Sequence, residues 1–308
     1  MQFKSIFLLL AFAGLTGFYS CSDDDDDVVV ETNTIVDIAA ANPDFSTLVS
    51  ALNRTGLTAT LQGNGNFTVF APTDAAFAAL GVDLNTISDE ALTDILLYHV
   101  LGAEVMSGDI NAGQSYVSTA STSGPNDAAL SLLVEKNGNS VTLNADVNVT
   151  TADIDADNGV IHIVDKVIMP LDIVGHAVAN SNFSTLVGAL GSADGDLVSV
   201  LSGDGPFTVF APVNSAFSAI SEVVASLSTA QLATVLTYHV VGGANVTSSD
   251  LTDGMSVTTV SGQDFTVDLD GEPKIIDQTG QASTLVLTDV QATNGVIHVL
   301  ERVIIPSL

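Results

Sequence analysis

Tyr98-His99, in the run "LLYHV", and Tyr238-His239, in "LTYHV", place a phenol beside an imidazole twice in a chain that holds five histidines. Such a pair can move protons, offer an imidazole nitrogen to a metal, or present an amphipathic handle to a partner. His162 and His298 each follow "GVI" in a second pair of matched runs. Two imidazoles and a carboxylate would suffice for zinc. Neither an H-x-E-x-x-H-like helical spacing nor a second cysteine supports that reading, and no metal ligand is expected. In "TADIDADNGVIH", Asp153, Asp155 and Asp157 resemble the start of a calcium loop. That loop needs glycine at its sixth position and a bidentate glutamate at its twelfth. Asn158 and Val164 stand there instead, and the related run "LTDVQATNGVIH" keeps only Asp289. A turn that forms in both runs does not depend on an ion. A G-x-S-x-G elbow, a phosphate loop and a dinucleotide glycine fingerprint are all missing from the sequence. No catalytic residue and no cofactor are therefore expected, and the chain reads as non-enzymatic.

The elements that carry these residues set their direction. Leu92, Ile95, Leu96 and His99 fall at i, i+3, i+4 and i+7, one stripe of a helix, and Leu232, Val235, Leu236 and His239 repeat it. The histidines thus point toward a core, where a neutral imidazole must donate one hydrogen bond and accept another. Tyr98, His99, Tyr238 and His239 are candidates for a structural motif first and for partner binding second. Upstream, "TIVDIAAANPDFSTLVSALNRTGL" predicts two short helices broken near Asn42-Pro43. "FTVFAPT" predicts a strand closed by Pro72, and "TDAAFAAL" a helix with Asp74 (Asn214 in the related run) at its N-cap or first turn. Ser228 and Gln231 form a capping box at the head of the second Tyr-His helix. Beyond each Tyr-His pair the chain reads as strands, the last two joined by a hairpin signal at Asn158-Gly159. Helices first and strands later imply an α+β unit.

Length and charge narrow the function. A 308-residue chain suits two domains better than one. Six basic residues against 36 acidic ones leave a net charge of -30, which repels phosphate backbones and anionic lipid surfaces. Nucleic acid is not expected as a partner. The absence of tryptophan removes the best stacking platform for sugars. The single cysteine, Cys21, excludes an intrachain disulfide. It follows Lys4 and the apolar stretch "IFLLLAFAGL", too short to span a bilayer and laid out like a secretory signal. The stretch resembles a bacterial lipoprotein signal, which implies cleavage before Cys21 and lipid on its thiol. Residues 1–20 are then a signal peptide, and 21–31 a lipidated cysteine with the acidic spacer Asp23–Asp27.

The remainder is one unit written twice. "NPDFSTLVSAL" returns as "NSNFSTLVGAL", "GNFTVFAPTDAAF" as "GPFTVFAPVNSAF", and "NGVIHIVDKVIMP" as "NGVIHVLERVIIP". The units run over 32–170 and 171–308, joined at "MPLDIVG" without a flexible linker, so they are expected to touch or hinge over a short distance. The ordered blocks "FTVFAPT…AF", "YHV" and "NGVIHVxDxVxxP", present in both units, resemble the fasciclin (FAS1) domain. The resemblance implies two tandem FAS1-like domains, each a β-sandwich or wedge with several short helices packed on it. It further implies a non-enzymatic surface or envelope lipoprotein that adheres to, or binds, an extracellular protein or polysaccharide partner. Contact with the membrane would be through the lipid anchor alone, at the outer membrane or cell surface facing outward. In some animal members the Tyr-His segment is implicated in integrin contact. An envelope receptor for a glycan or small molecule is the alternative.

Overall fold

The computed structural model describes residues 33–308. The expectations for residues 1–20 and 21–31, Cys21 among them, lie outside the described residues. In the first copy the helices are α1 (Ile35–Ala41), α2 (Ser46–Thr55), α3 (Thr58–Gln62), α4 (Asp74–Leu80) and α5 (Asp89–Tyr98). The strands are β1 (Phe67–Pro72), β2 (Val100–Leu101), β3 (Gly113–Ser118), β4 (Ser131–Asn137), β5 (Ser140–Leu143), β6 (Val147–Ala156) and β7 (Gly159–Val164).

Local chemistry explains the punctuation. A capping box between Thr34 and Asp37 opens α1. Pro43, which has no N–H to donate, turns the chain through a 3-10 segment, Pro43–Phe45, before α2 begins. Gly56, at φ 74°, takes the left-handed conformation that ends α2. α4 begins at Asp74, which takes the second of its two expected places, the first turn. Thr73 is its N-cap, accepting from Ala76 N–H, while Asp74 reaches back across the fold to Ser46 Oγ (2.6 Å) and Thr47 N–H (2.8 Å). The carboxylate therefore clamps α4 to the head of α2, and these donors hold its pKa below the usual value. Asn214 does the same in the second copy, accepting from Thr185 N–H at 2.9 Å.

The strands form a single seven-stranded sheet in the order β2-β1-β7-β6-β5-β4-β3. β1 runs parallel to β7, with Phe67 opposite Gly159, and its interior residues are buried on both faces. β6 is irregular where it pairs with β7, with register shifts on either side of Thr151, and Asp153 sits there at φ 61°. Phe70 and Leu101 at one end of the sheet share a core cluster with Leu132, Val134, Val141 and Leu143 at the other. The two ends therefore face one another as a sandwich. A separate cluster lies beneath the helices, built on Phe45, Leu48, Leu92, Leu96 and Ile161.

The second copy repeats the order. Its helices are α6 (Ile173–Ala179), α7 (Ser184–Ser192), α8 (Leu197–Leu201), α9 (Asn214–Ala219), α10 (Ser221–Ser226) and α11 (Thr229–Tyr238). Its strands are β8 (Phe207–Pro212), β9 (Val240–Gly242), β10 (Ser256–Thr258), β11 (Asp264–Asp268), β12 (Lys274–Ile276), β13 (Ala282–Ala292) and β14 (Gly295–Leu300), in the sheet order β10-β11-β12-β13-β14-β8-β9. The capping box of Ser228 and Gln231 is present at α11.

The two copies touch through side chains. Tyr116 of β3 packs against the helical core of the second copy, edge-on to His176 of α6 at 5.6 Å, and its hydroxyl accepts from Asn180 Nδ2 at 3.2 Å. Ser131 Oγ accepts from the Gln291 N–H at 2.9 Å, and Gln114 accepts from Ser181. No helix among the described residues is long and apolar enough to cross a membrane.

Candidate functional site

His99 caps the C-terminus of α5, one residue beyond the helix, and is 2% exposed. Nε2 accepts from the Ile168 N–H at 2.8 Å, which fixes the proton on Nδ1, and Nδ1–H donates to the Ile95 carbonyl at 2.7 Å. His239 repeats the arrangement with Ile304 N–H (3.1 Å) and the Val235 carbonyl (2.8 Å). Each imidazole thus ties the helix end to the segment after the last strand. Burial pushes both rings down to about 4, so they are neutral at pH 7.

The tyrosines point the other way, into the sandwich, and both are fully buried. The Tyr98 hydroxyl donates to the Ser131 carbonyl at 2.8 Å and accepts from Asn144 Nδ2 at 3.1 Å. Tyr238 donates to the Asp264 carbonyl at 2.8 Å. Desolvation raises both phenols, Tyr238 to about 12. Tyr98→Phe keeps the ring but leaves a buried carbonyl and an amide short of a partner. It is expected to lower unfolding free energy by about 1–2 kcal/mol. A urea midpoint equal to that of the wild type would show that the hydroxyl is idle.

His162 and His298 are equally committed. His162 Nδ1 accepts from the Asp153 N–H at 3.1 Å, so Nε2–H donates to the Val105 carbonyl at 2.9 Å. His298 does the same with Asp289 and Val246. Every ring nitrogen of these four histidines is engaged by main chain, leaving no lone pair for zinc. Asp153, the first carboxylate of the calcium-like run, accepts from Ser107 N–H (2.7 Å) and Oγ (2.5 Å), and Asp157 accepts from Asn33 N–H. The Asp153 carboxyl is held low by these donors. Asp155, the second carboxylate of that run, pairs across the ladder with Val160. The run is a hairpin that pins loops.

That hairpin also corrects one detail. Its two-residue loop is Asp157-Asn158, and Gly159 is already paired with Ala156 as the first residue of β7. Asn158 is 5% exposed and works as a staple: Oδ1 accepts from Ile35 N–H, Nδ2 donates to the Leu61 and Gly63 carbonyls, and its own carbonyl accepts from Phe67 N–H. Asn294 makes the matching bonds to Ile173, Leu201, Gly203 and Phe207. Thr68 and Thr208 form a second pair of staples, each donating to the Ala103 or Ala244 carbonyl and accepting from Val105 or Val246 N–H. Asn158 was readable as a hairpin residue, and Thr68, Thr208 and Asn294 only as identities shared by the two copies. Their partners lie far away in the chain.

Paired domains of this topology, with their polar motif residues turned inward, define a class. The Fasciclin domain family matches residues 43–170 and 181–306, and the chain belongs to that family. It is 42% identical over 144 residues to Protein sll1483 of Synechocystis sp., covering 45% of this chain and 75% of that protein. It is 30% identical over 256 residues to transforming growth factor-beta-induced protein ig-h3 of Sus scrofa, covering 80% of this chain but 35% of that protein. The solved FAS1 domain pair from the insect cell adhesion molecule Fasciclin I superposes with a TM-score of 0.54 at 18% identity, over 87% of this chain and 98% of that one. That likeness establishes the shared fold.

Proposed function

We propose that the chain is a non-enzymatic adhesion module, two fasciclin domains held at the outer membrane or cell surface by lipid on Cys21 and facing outward. Its partner on this reading is an extracellular or envelope protein or polysaccharide. The observation that carries the reading is the doubled fasciclin fold, whose phenols and matched imidazoles are consumed by main-chain groups rather than offered to a substrate. A fold shared with a cell adhesion molecule supports it. Recognition then belongs to exposed surface, and the net charge of -30 favours partners that present cationic groups.

Deleting the gene is expected to reduce attachment of cells to a matrix-coated surface several-fold, with recovery on complementation. Unchanged attachment would overturn the adhesion role. Labelled palmitate is expected in the wild type and not in Cys21→Ala, and equal labelling of the two would overturn the anchor.

A further inference from the structure

The first copy contains an opening into its sandwich that the second copy has the residues to fill. A cavity of about 230 Å³ lies between β1, β2 and β7 on one side and β3 and β4 on the other, with the 105–111 loop as its outer wall. Phe70, Leu101, Ile110, Val117 and Val134 supply an apolar lining, and Asp109 stands exposed at the mouth.

The register of the two copies shows why the space is there. The Tyr98 hydroxyl reaches the Ser131 carbonyl and the Tyr238 hydroxyl reaches that of Asp264, so β4 and β11 align residue by residue from that point. Leu132 therefore corresponds to Phe265, whose ring packs edge-on against Phe210 at 4.9 Å. Phe70, the counterpart of Phe210, lines the cavity instead. Ser115 pairs with Val134, and Met255 accepts from the Val267 N–H at the same rung. A serine lines the cavity where the second copy packs a methionine into its core. Lys136 corresponds to Leu269, which packs on that same core. The Lys136 ammonium instead donates to the Ser107 and Ile110 carbonyls at 2.7 and 3.0 Å, fastening the loop as a fixed wall. Three aligned positions thus exchange core-filling side chains for a smaller aliphatic, a hydroxyl and a strut.

We propose that this cavity binds a compact organic amine: an apolar body of about one ring seated against Phe70, with an ammonium meeting the Asp109 carboxylate at the mouth. Size sets the body, since an apolar cavity of about 150 Å³ holds benzene and this one has room for a ring with a short arm. Charge sets the head. Asp109 is the carboxylate among the lining residues and none of them is lysine or arginine, while the nearby Lys136 ammonium, held by two carbonyls, has its charge offset by the Asp153 carboxylate. The site is independent of the adhesion reading.

The test is calorimetric titration of the full chain at pH 7 and low salt with 2-phenylethylamine, 2-phenylethanol and phenylacetate. The amine is expected to bind, with the alcohol about fivefold weaker and phenylacetate weaker still. Ser115→Met, which installs the residue of the second copy, is expected to abolish binding. Asp109→Asn, an exposed change that spares the fold, is expected to bring the amine down to the level of the alcohol. Failure of the amine to bind at millimolar concentration, phenylacetate binding as tightly as the amine, or amine affinity unchanged in Asp109→Asn or in folded Ser115→Met would each overturn the site.

Discussion

Lowering the pH from 7 to 5 is expected to reduce the unfolding free energy by roughly 6 kcal/mol, before most carboxylates titrate. Three buried imidazoles carry this effect. His99, His176 and His239 are each pushed down to about 4 by desolvation, against 6.5 for the free side chain. Asp172 near His176 and Asp277 near His239 oppose the shift only in part. As pH falls below 6.5 the unfolded chain takes up protons that the folded chain refuses. Stability is therefore complete above that value, declines toward 4, and levels off once the folded rings also protonate. Each ring contributes roughly 2 kcal/mol over the interval from pH 7 to 5. His298 is shifted in the same direction by burial and adds to the decline. Geometry gives the cause at His99 and His239: a proton on Nε2 would set a donor against the N–H of Ile168 or Ile304. His176 stands at the contact between the copies against Tyr116, so its protonation loosens that contact as well. Urea unfolding followed by far-ultraviolet circular dichroism at pH 7, 6 and 5 measures the effect. A free energy flat to within about 1 kcal/mol across that range would contradict neutral, buried rings.

Much of this arrangement was legible in the chain because its signals are local. The stripe of Leu92, Ile95, Leu96 and His99 needs only helical periodicity, and the break at Asn42-Pro43 needs only a missing N–H. The duplication multiplied these signals, since a motif kept in both copies is unlike one met by chance. Long-range closure was not legible. β1 pairs in parallel with β7 from the far end of the same unit, and nothing in "FTVFAP" names that partner. Asn158 read as a turn residue because its four bonds go to Ile35, Leu61, Gly63 and Phe67. Gln114, Tyr116 and Asn180 have the types of ordinary strand and helix-end residues, and only the packed pair makes them an interface. The contrast of Ser115 with Met255 is visible in the sequence but has no meaning until strand register aligns the two positions.

Gly159→Ala is expected to lower unfolding free energy by more than about 3 kcal/mol, or to prevent folding, for a reason that belongs to the hairpin corrected above. Gly159 has φ +145°, a conformation that side chains of L residues rarely adopt. An added Cβ would stand 2.0 Å from the Phe67 carbonyl oxygen and 2.6 Å from the Phe67 nitrogen. Both are backbone atoms at the first rung of the parallel β1–β7 pair, so no rotamer change can relieve the clash. Moving Phe67 away would also break its N–H bond to the Asn158 carbonyl and disturb the staple on Ile35, Leu61 and Gly63. Gly295→Ala should behave alike, its Cβ falling 2.1 Å from the Phe207 carbonyl oxygen. Gly102→Ala is the matched control, because a Cβ there meets nothing within 4 Å, and its effect should stay within about 0.5 kcal/mol. Comparable urea midpoints for Gly159→Ala and Gly102→Ala would mean that β1 and β7 do not approach as described. The glycine after each conserved-in-both-copies asparagine would then be a turn residue and no more. The large difference expected between the two variants follows from close backbone approach, which joins the first strand of each unit to its last inside the sheet on which the Tyr-His helix rests.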